Sequence, residues 1–163
     1  MNSTPTQDAI PPRSQWPRLL LACPPAAVRS LAHTLAQQHT VQDIQVPQSG
    51  LALLKLRDSA LGEAYDPGEV PLARAHVRIC TTEGATSEGA VQLLDDRAAL
   101  ARAMAVIDAV LAGRLPGYEA VQPLLAMGAT RLEEQRAQRQ ALMAATRVDF
   151  SLIGSADEEE DHE

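Results

Sequence analysis

The sequence predicts an α+β fold: a small, mainly antiparallel β-sheet packed against an N-terminal helical hairpin and two later helices. Three observations carry this prediction. Residues 72–79 alternate, with Ala73, Ala75, Val77 and Ile79 pointing one way and Leu72, Arg74, His76 and Arg78 the other, the period of a half-buried strand. Two segments, around Val28–Leu35 and Arg97–Ala112, instead repeat their apolar residues at helical spacing. One Trp, one Phe and two Tyr leave the core to Ala, Leu and Val, which favours close-packed helices against a small sheet.

A chain of 163 residues is long enough for a real core and is expected to form one domain. The expected boundaries are a disordered tail over residues 1–12, a single α+β domain over 13–154 and an acidic disordered tail over 155–163. The net charge of −7 is mostly that tail, because Asp157, Glu158, Glu159, Glu160, Asp161 and Glu163 carry six negative charges and leave the body near −1. The body therefore has no basic nucleic-acid footprint. Cys23 and Cys80 form no ligand motif and read as free thiols of a reducing compartment. The N-terminus has no signal-peptide pattern and no apolar run approaches the roughly 18 residues of a membrane span, so a cytoplasmic location is expected.

In chain order, Pro17 suits the first turn of a short helix whose core face is Leu19, Leu20 and Leu21. Pro24-Pro25 ends it and starts a second helix with Val28, Leu31, Ala32 and Leu35 inside. Val41, Ile44 and Val46 suggest a short strand, Pro47–Gly50 a turn, and residues 51–57 a second strand. Asp58–Glu69 reads as a long loop. Pro71 suits the start of a strand or an edge. The alternating strand then turns through Gly84 into a return strand over Gly89–Leu94. Asp95-Asp96 is expected to cap a helix over Arg97–Ala112, stopped by Gly113 and buried on more than one side. Pro116, Gly117, Pro123 and Gly128 break up the next segment. Thr130–Glu133 forms a capping box that launches a last helix to about Thr146, anchored only by Leu132, Leu142 and Met143. Ser151–Ile153 could add a short final strand.

No nucleophile elbow, P-loop, zinc spacing or dinucleotide fingerprint is present, and no residue is assigned a catalytic role. The chemistry-bearing candidates are Arg74, His76 and Arg78, with the two arginines roughly 13 Å apart at about 3.3 Å per residue. Arginines so spaced can bracket a phosphate or carboxylate. The competing reading, a polar sheet face paired with a local carboxylate such as Glu69 or Glu88, is preferred to a free-standing active site. Asp108, in the most apolar helix, reads as a helix-edge carboxylate or one paired with an Arg rather than as an acid–base group. Arg131, Arg136, Arg139 and Arg147, with Phe150 beyond, make the last helix either exposed or a partner interface.

Several stretches resemble one family. Gly68-Glu69-Val70-Pro71-Leu72-Ala73-Arg74-Ala75 is similar to its Gly-Glu-Val-x-x-Thr-Arg-Ala segment. Met143–Phe150 resembles its C-terminal Thr-Arg-Val-Asp/Glu-Phe block, and Gly89 through Ile107-Asp108-Ala109 its hairpin return and helix. Arg13-Ser14-Gln15-Trp16 and Gly50-Leu51 fit as well. This is the PhnG family, small subunits of the bacterial carbon–phosphorus lyase core complex, and the resemblance spans about residues 13–154. Three positions depart from the family pattern: Asp95-Asp96-Arg97 for Gly-Arg-Asp, Leu100-Ala101-Arg102 for His-Ala-Glu, and Ala73 for Thr. The resemblance implies an accessory subunit in phosphonate catabolism that assembles with PhnI, PhnH and PhnJ. With PhnI, PhnH and PhnL it would support displacement of adenine from MgATP by a phosphonate. MgATP would then be a substrate of the assembly, and this chain would hold no cofactor or metal of its own. The alternative is a free-standing phosphate-ester or nucleotide enzyme using the Arg74/His76/Arg78 face.

Overall fold

The alternating segment is the central strand of a three-stranded antiparallel sheet in a computed structural model that describes residues 10–145. A 3-10 turn, Arg13–Gln15, leads into helix α1 (Trp16–Ala22), and Pro24 and Pro25 open α2 (Pro25–Gln38). Strand β1 (Thr40–Leu53) is followed by a minute hairpin, β2 (Leu56–Arg57) and β3 (Ala64–Tyr65), and then by β4 (Glu69–Cys80) and β5 (Thr86–Leu93). Helix α3 (Ala98–Ala112) and a 3-10 turn, Tyr118–Val121, precede α4 (Gln122–Ala145). The sheet order is β1-β4-β5, so β4 is central and the other two are edges.

The predicted two faces of β4 are as observed. Ala73, Ala75, Val77 and Ile79 are buried, while Arg74 and Arg78 are exposed and Leu72 and His76 partly so. The buried face meets α3, whose residues from Leu100 to Leu111 are buried apart from Arg102. The helix is enclosed because the sheet covers one side and α2 another. Contact on the sheet side is close: a Cβ at Gly89 would overlap the carbonyl of Ala105 and the amide of Ala109, so only glycine lets β5 reach α3. The two N-terminal helices take different partners, α2 lying on α3 and α1 on α4.

Several local expectations change. Pro47–Gly50 is no turn, and residues 40–53 form one strand with two register shifts, between Asp43 and Gln45 and between Gln45 and Gln48. Each shift adds an unpaired residue, which lets Pro47, with no N–H to donate, sit in an edge strand. The loop over Asp58–Glu69 contains β3 and the turn that joins it to β2, closed by Asp58 N–H donating to the Glu63 carbonyl at 2.8 Å. The return strand begins at Thr86, before Gly89. Pro71 is tolerated in β4 because β5 pairs only from Ala73 onward.

Helix ends differ too. Arg97, not Asp95 or Asp96, occupies the N-cap of α3, and Asp95 accepts the Arg97 N–H at 2.8 Å in a turn of its own. At the C-terminus the left-handed residue is Arg114, φ 45°, with Leu115 N–H donating to the Val110 carbonyl at 3.0 Å. Gly113 is needed for space instead, because a Cβ there would lie 2.6 Å from Cβ of Ser87. Thr130–Glu133 caps nothing: α4 runs through it, with the Thr130 hydroxyl bonded back to the Ala126 carbonyl at 3.2 Å. Pro123 sits in the first turn, and Gly128 gives room for α1, since a Cβ would overlap the Leu19 carbonyl. The helix is anchored by Leu124, Leu125, Gly128 and, partly, Leu132, whereas Leu142 and Met143 are exposed. Both predicted tails, Arg147, Phe150 and Ser151–Ile153 lie wholly or largely outside the described residues.

Candidate functional site

Among the described residues no helix lies on the outer face of the sheet, and the register decides what it carries. Arg78 stands opposite Glu88 of β5 and Gln42 of β1; Arg74 stands opposite Gln92 and Gln48. Directly opposed residues of an antiparallel pair share a face, so these side chains meet. Glu88 accepts from Arg78 Nε at 2.9 Å and from its terminal nitrogen at 2.6 Å, and its other oxygen lies 3.0 Å from His76 Nε2. The Arg78 bonds first, and the His76 bond second, hold the Glu88 carboxyl below the ordinary carboxylate range. Two of the three predicted residues are therefore engaged by one carboxylate of the same sheet.

Arg74 differs. Its side chain bonds only to the neutral Gln48 Oε1, at 3.1 Å, and it forms no ion pair among the described residues. It borders a cleft with Gln48, Ser49, Gly50, Leu51 and Leu72. A guanidinium there keeps donors available for an oxyanion or a carbonyl of another molecule. The three residues thus share a strand face but not an electrostatic state. The Gln48 partnership had no sequence signal, because it depends on the bulges that set the β1 register.

On the inner side, Asp108 is 5% exposed and fully occupied. Arg13 donates to it twice, from Nε at 3.0 Å and from a terminal nitrogen at 2.6 Å, and Ala90 N–H donates at 3.1 Å. The same Arg13 reaches the Glu88 carbonyl at 3.3 Å. Hydrogen bonding to Asp108 raises the Arg13 pKa further above its ordinary value. Asp108 is a structural ion pair, as the pairing reading expects, and Arg13 fastens the N-terminal segment to β5. Trp16 is buried beside it and donates from Nε1 to the Pro11 carbonyl at 2.7 Å.

The positions that depart from the family pattern have structural work here. Arg102 Nε donates to Asp43 at 2.8 Å, tying α3 to β1, while Leu100 is buried and Asp95 pairs with Arg97. Arg136 pairs with Glu133 at 2.6 Å one turn away, and from Glu133 to Ala145 every residue of α4 is exposed. His33 lies 3.0 Å from Gln37, and His39 Nε2 contacts the Pro116 carbonyl at 2.9 Å. No group of three His, Cys, Asp or Glu among the described residues could hold a metal ion. No described helix is long and apolar enough to cross a membrane.

Together these features define a small α+β domain with a sealed helical layer on one sheet face and an open, hydrogen-bonding face on the other. The chain belongs to the PhnG family: the family model described as "Phosphonate metabolism protein PhnG" matches residues 11–154. It is also similar to a Rhizobium meliloti (strain 1021) protein named alpha-D-ribose 1-methylphosphonate 5-triphosphate synthase subunit PhnG. Identity is 32% over 110 residues, covering 68% of this chain and 67% of that protein.

Proposed function

We infer that this protein is the PhnG-type subunit of a carbon–phosphorus lyase complex, acting as an accessory element of its ribose 1-phosphonate 5-triphosphate synthase. The observation that carries this reading is the family match across residues 11–154, which takes in both Arg13 and Asp108 of the buried ion pair. Residues 13–154 would form its single domain. PhnI-, PhnH- and PhnJ-type subunits would be its partners, with PhnL needed for activity. MgATP would be a substrate of the assembly, in the cytoplasm, and the chain would supply no cofactor of its own.

Within this reading the outer sheet face is a contact surface. Arg74 is the member of the trio with capacity left for a new anionic or carbonyl partner, while His76 and Arg78 hold Glu88. Arg136, Arg139, Arg147 and Phe150 are assigned to a second contact through the last helix and the segment after it.

Co-expression with a PhnI-type partner tests the function. A stable stoichiometric complex is expected on size exclusion, and separate elution would refute the assignment. Within the reconstituted synthase, Arg74→Ala should lower adenine release from MgATP and a phosphonate while leaving the isolated chain folded. Unchanged turnover and unchanged assembly would remove Arg74 from the site.

A further inference from the structure

The two edges of the sheet are treated differently. On β5, the Glu88 carbonyl and the Ala90 N–H are taken by Arg13 and Asp108 rather than by β4, so the ion pair closes that edge. These bonds also reveal the parity of the ladder. Residues of an antiparallel pair alternate between bonding inward and facing outward. If residues 88 and 90 face outward, then 87, 89 and 91 bond to Ile79, Val77 and Ala75. The intervening β4 residues, Arg74 and Leu72 among them, must then bond to β1 through Gln48 and Gly50. Ser49, Leu51 and Leu53 consequently turn their N–H and C=O groups away from the sheet.

No hydrogen bond among the described residues covers that outward stretch. The devices that commonly protect an edge strand, a proline and bulges, lie at Asp43–Gln48 and stop short of it. Leu51 and Leu53 are 67% and 72% exposed although they share the inner-face side, because this arm lies beyond the cover of the helices. Leu61 and Tyr65 of the following hairpin region are 76% and 52% exposed. A strand docking here would gain backbone hydrogen bonds and apolar contact together.

We propose that Ser49–Leu53 is a strand-addition site for an extended, apolar-alternating segment of an unlike subunit, flanked by basic residues. The proposal rests on the subunit assignment above. Charge selects the occupant. At the Leu53 end residues 55–69 carry Asp58, Glu63, Asp66 and Glu69 against Lys55 and Arg57, a net −2, and Glu69 stands directly opposite Leu53. Arg74, by contrast, borders the Ser49 end and is free to take a backbone carbonyl of the docked segment. Two copies of this chain would bring like-charged rims together, whereas a basic-flanked segment is attracted.

The test uses the full chain with its lyase partners. Leu51→Pro deletes an outward N–H and should leave the β1–β4 ladder standing, as edge prolines do. It is expected to weaken assembly by about tenfold or more, since lost interface bonds are not replaced. Leu51→Lys/Leu53→Lys, which keeps every N–H, should also weaken assembly. In the wild-type complex the amides of Ser49, Leu51 and Leu53 should exchange more slowly than in the free chain. Variants that assemble as well as the wild type, or wild-type amides at Ser49, Leu51 and Leu53 that exchange as fast in the complex as in the free chain, overturn the proposal. So does loss of a homodimer in the Leu51→Pro variant while the mixed complex persists. Failure of the wild-type chain to assemble would instead refute the subunit assignment itself.

Discussion

Removing the arginine from the Arg13–Asp108 pair should be the most damaging single change outside the apolar core. The Asp108 side chain is 7% exposed and the Arg13 side chain 56%, so Arg13→Ala leaves an almost dry carboxylate with only the Ala90 N–H. Breaking a buried pair by deleting one partner costs about 3–5 kcal/mol. Arg13 is half exposed and water can follow its outer side into the vacated space, so the loss should fall below that range or at its lower limit, about 2–3 kcal/mol. For a chain of this length that corresponds to a fall in Tm of roughly 4–12 °C. Urea unfolding of the wild type, Arg13→Ala, Asp108→Asn and the double variant measures both the loss and the coupling. Because the uncompensated charge is the main cost, the double variant should be less damaged than the two singles added together, by at least about 1 kcal/mol. Additive effects, or an Arg13→Ala loss within about 0.5 kcal/mol of zero as at an ordinary surface position, would refute the reasoning.

Three further outcomes follow from the same geometry. The Glu88 pKa is lowered in the folded state, first by Arg78 and then by His76, so its contribution is complete above the ordinary value of 4.5 and disappears as pH falls through the lower folded value. Glu88→Gln should therefore be less stable than wild type at neutral pH and converge on it in acid; stability curves that stay parallel would contradict this. Cys23 is buried, its Sγ 3.2 Å from the Leu124 carbonyl, and burial pushes its thiol pKa up, whereas Cys80 is half-buried on the outer face. Native thiol labelling at mildly alkaline pH should modify Cys80 well before Cys23, and equal rates would show that the α1–α4 contact opens freely. Gly128→Ala gains helix propensity of about 1 kcal/mol but forces a Cβ into the Leu19 carbonyl, a misfit of about 1–3 kcal/mol. Net destabilisation in urea is expected, and a more stable variant would mean that α1 can withdraw at no cost.

Whatever depends on local period and composition is legible in the chain before it folds. The two faces of β4, the enclosure of α3 and the concentration of charge in the last residues are all readable along the chain, because alternation and helical spacing are properties of consecutive residues. The family motifs belong to the same level, as does a structural role for Asp108, at the helix edge or paired with an arginine, in a carboxylate among apolar neighbours. Tertiary structure decided the rest, by close approach and by register. Gly128 sits inside a helix and Gly113 beside a left-handed Arg114 because neighbouring elements leave no room for a Cβ, a fact of packing and not of turn chemistry. Pro47 lies within β1 and not in a turn because two bulges absorb it, and those bulges, set against a partner strand more than twenty residues away, bring Gln48 to Arg74. The Arg-His-Arg face was visible in the sequence. That Glu88 holds two of its members and leaves Arg74, among the described residues, without a carboxylate is a consequence of which residues the folded sheet places opposite one another.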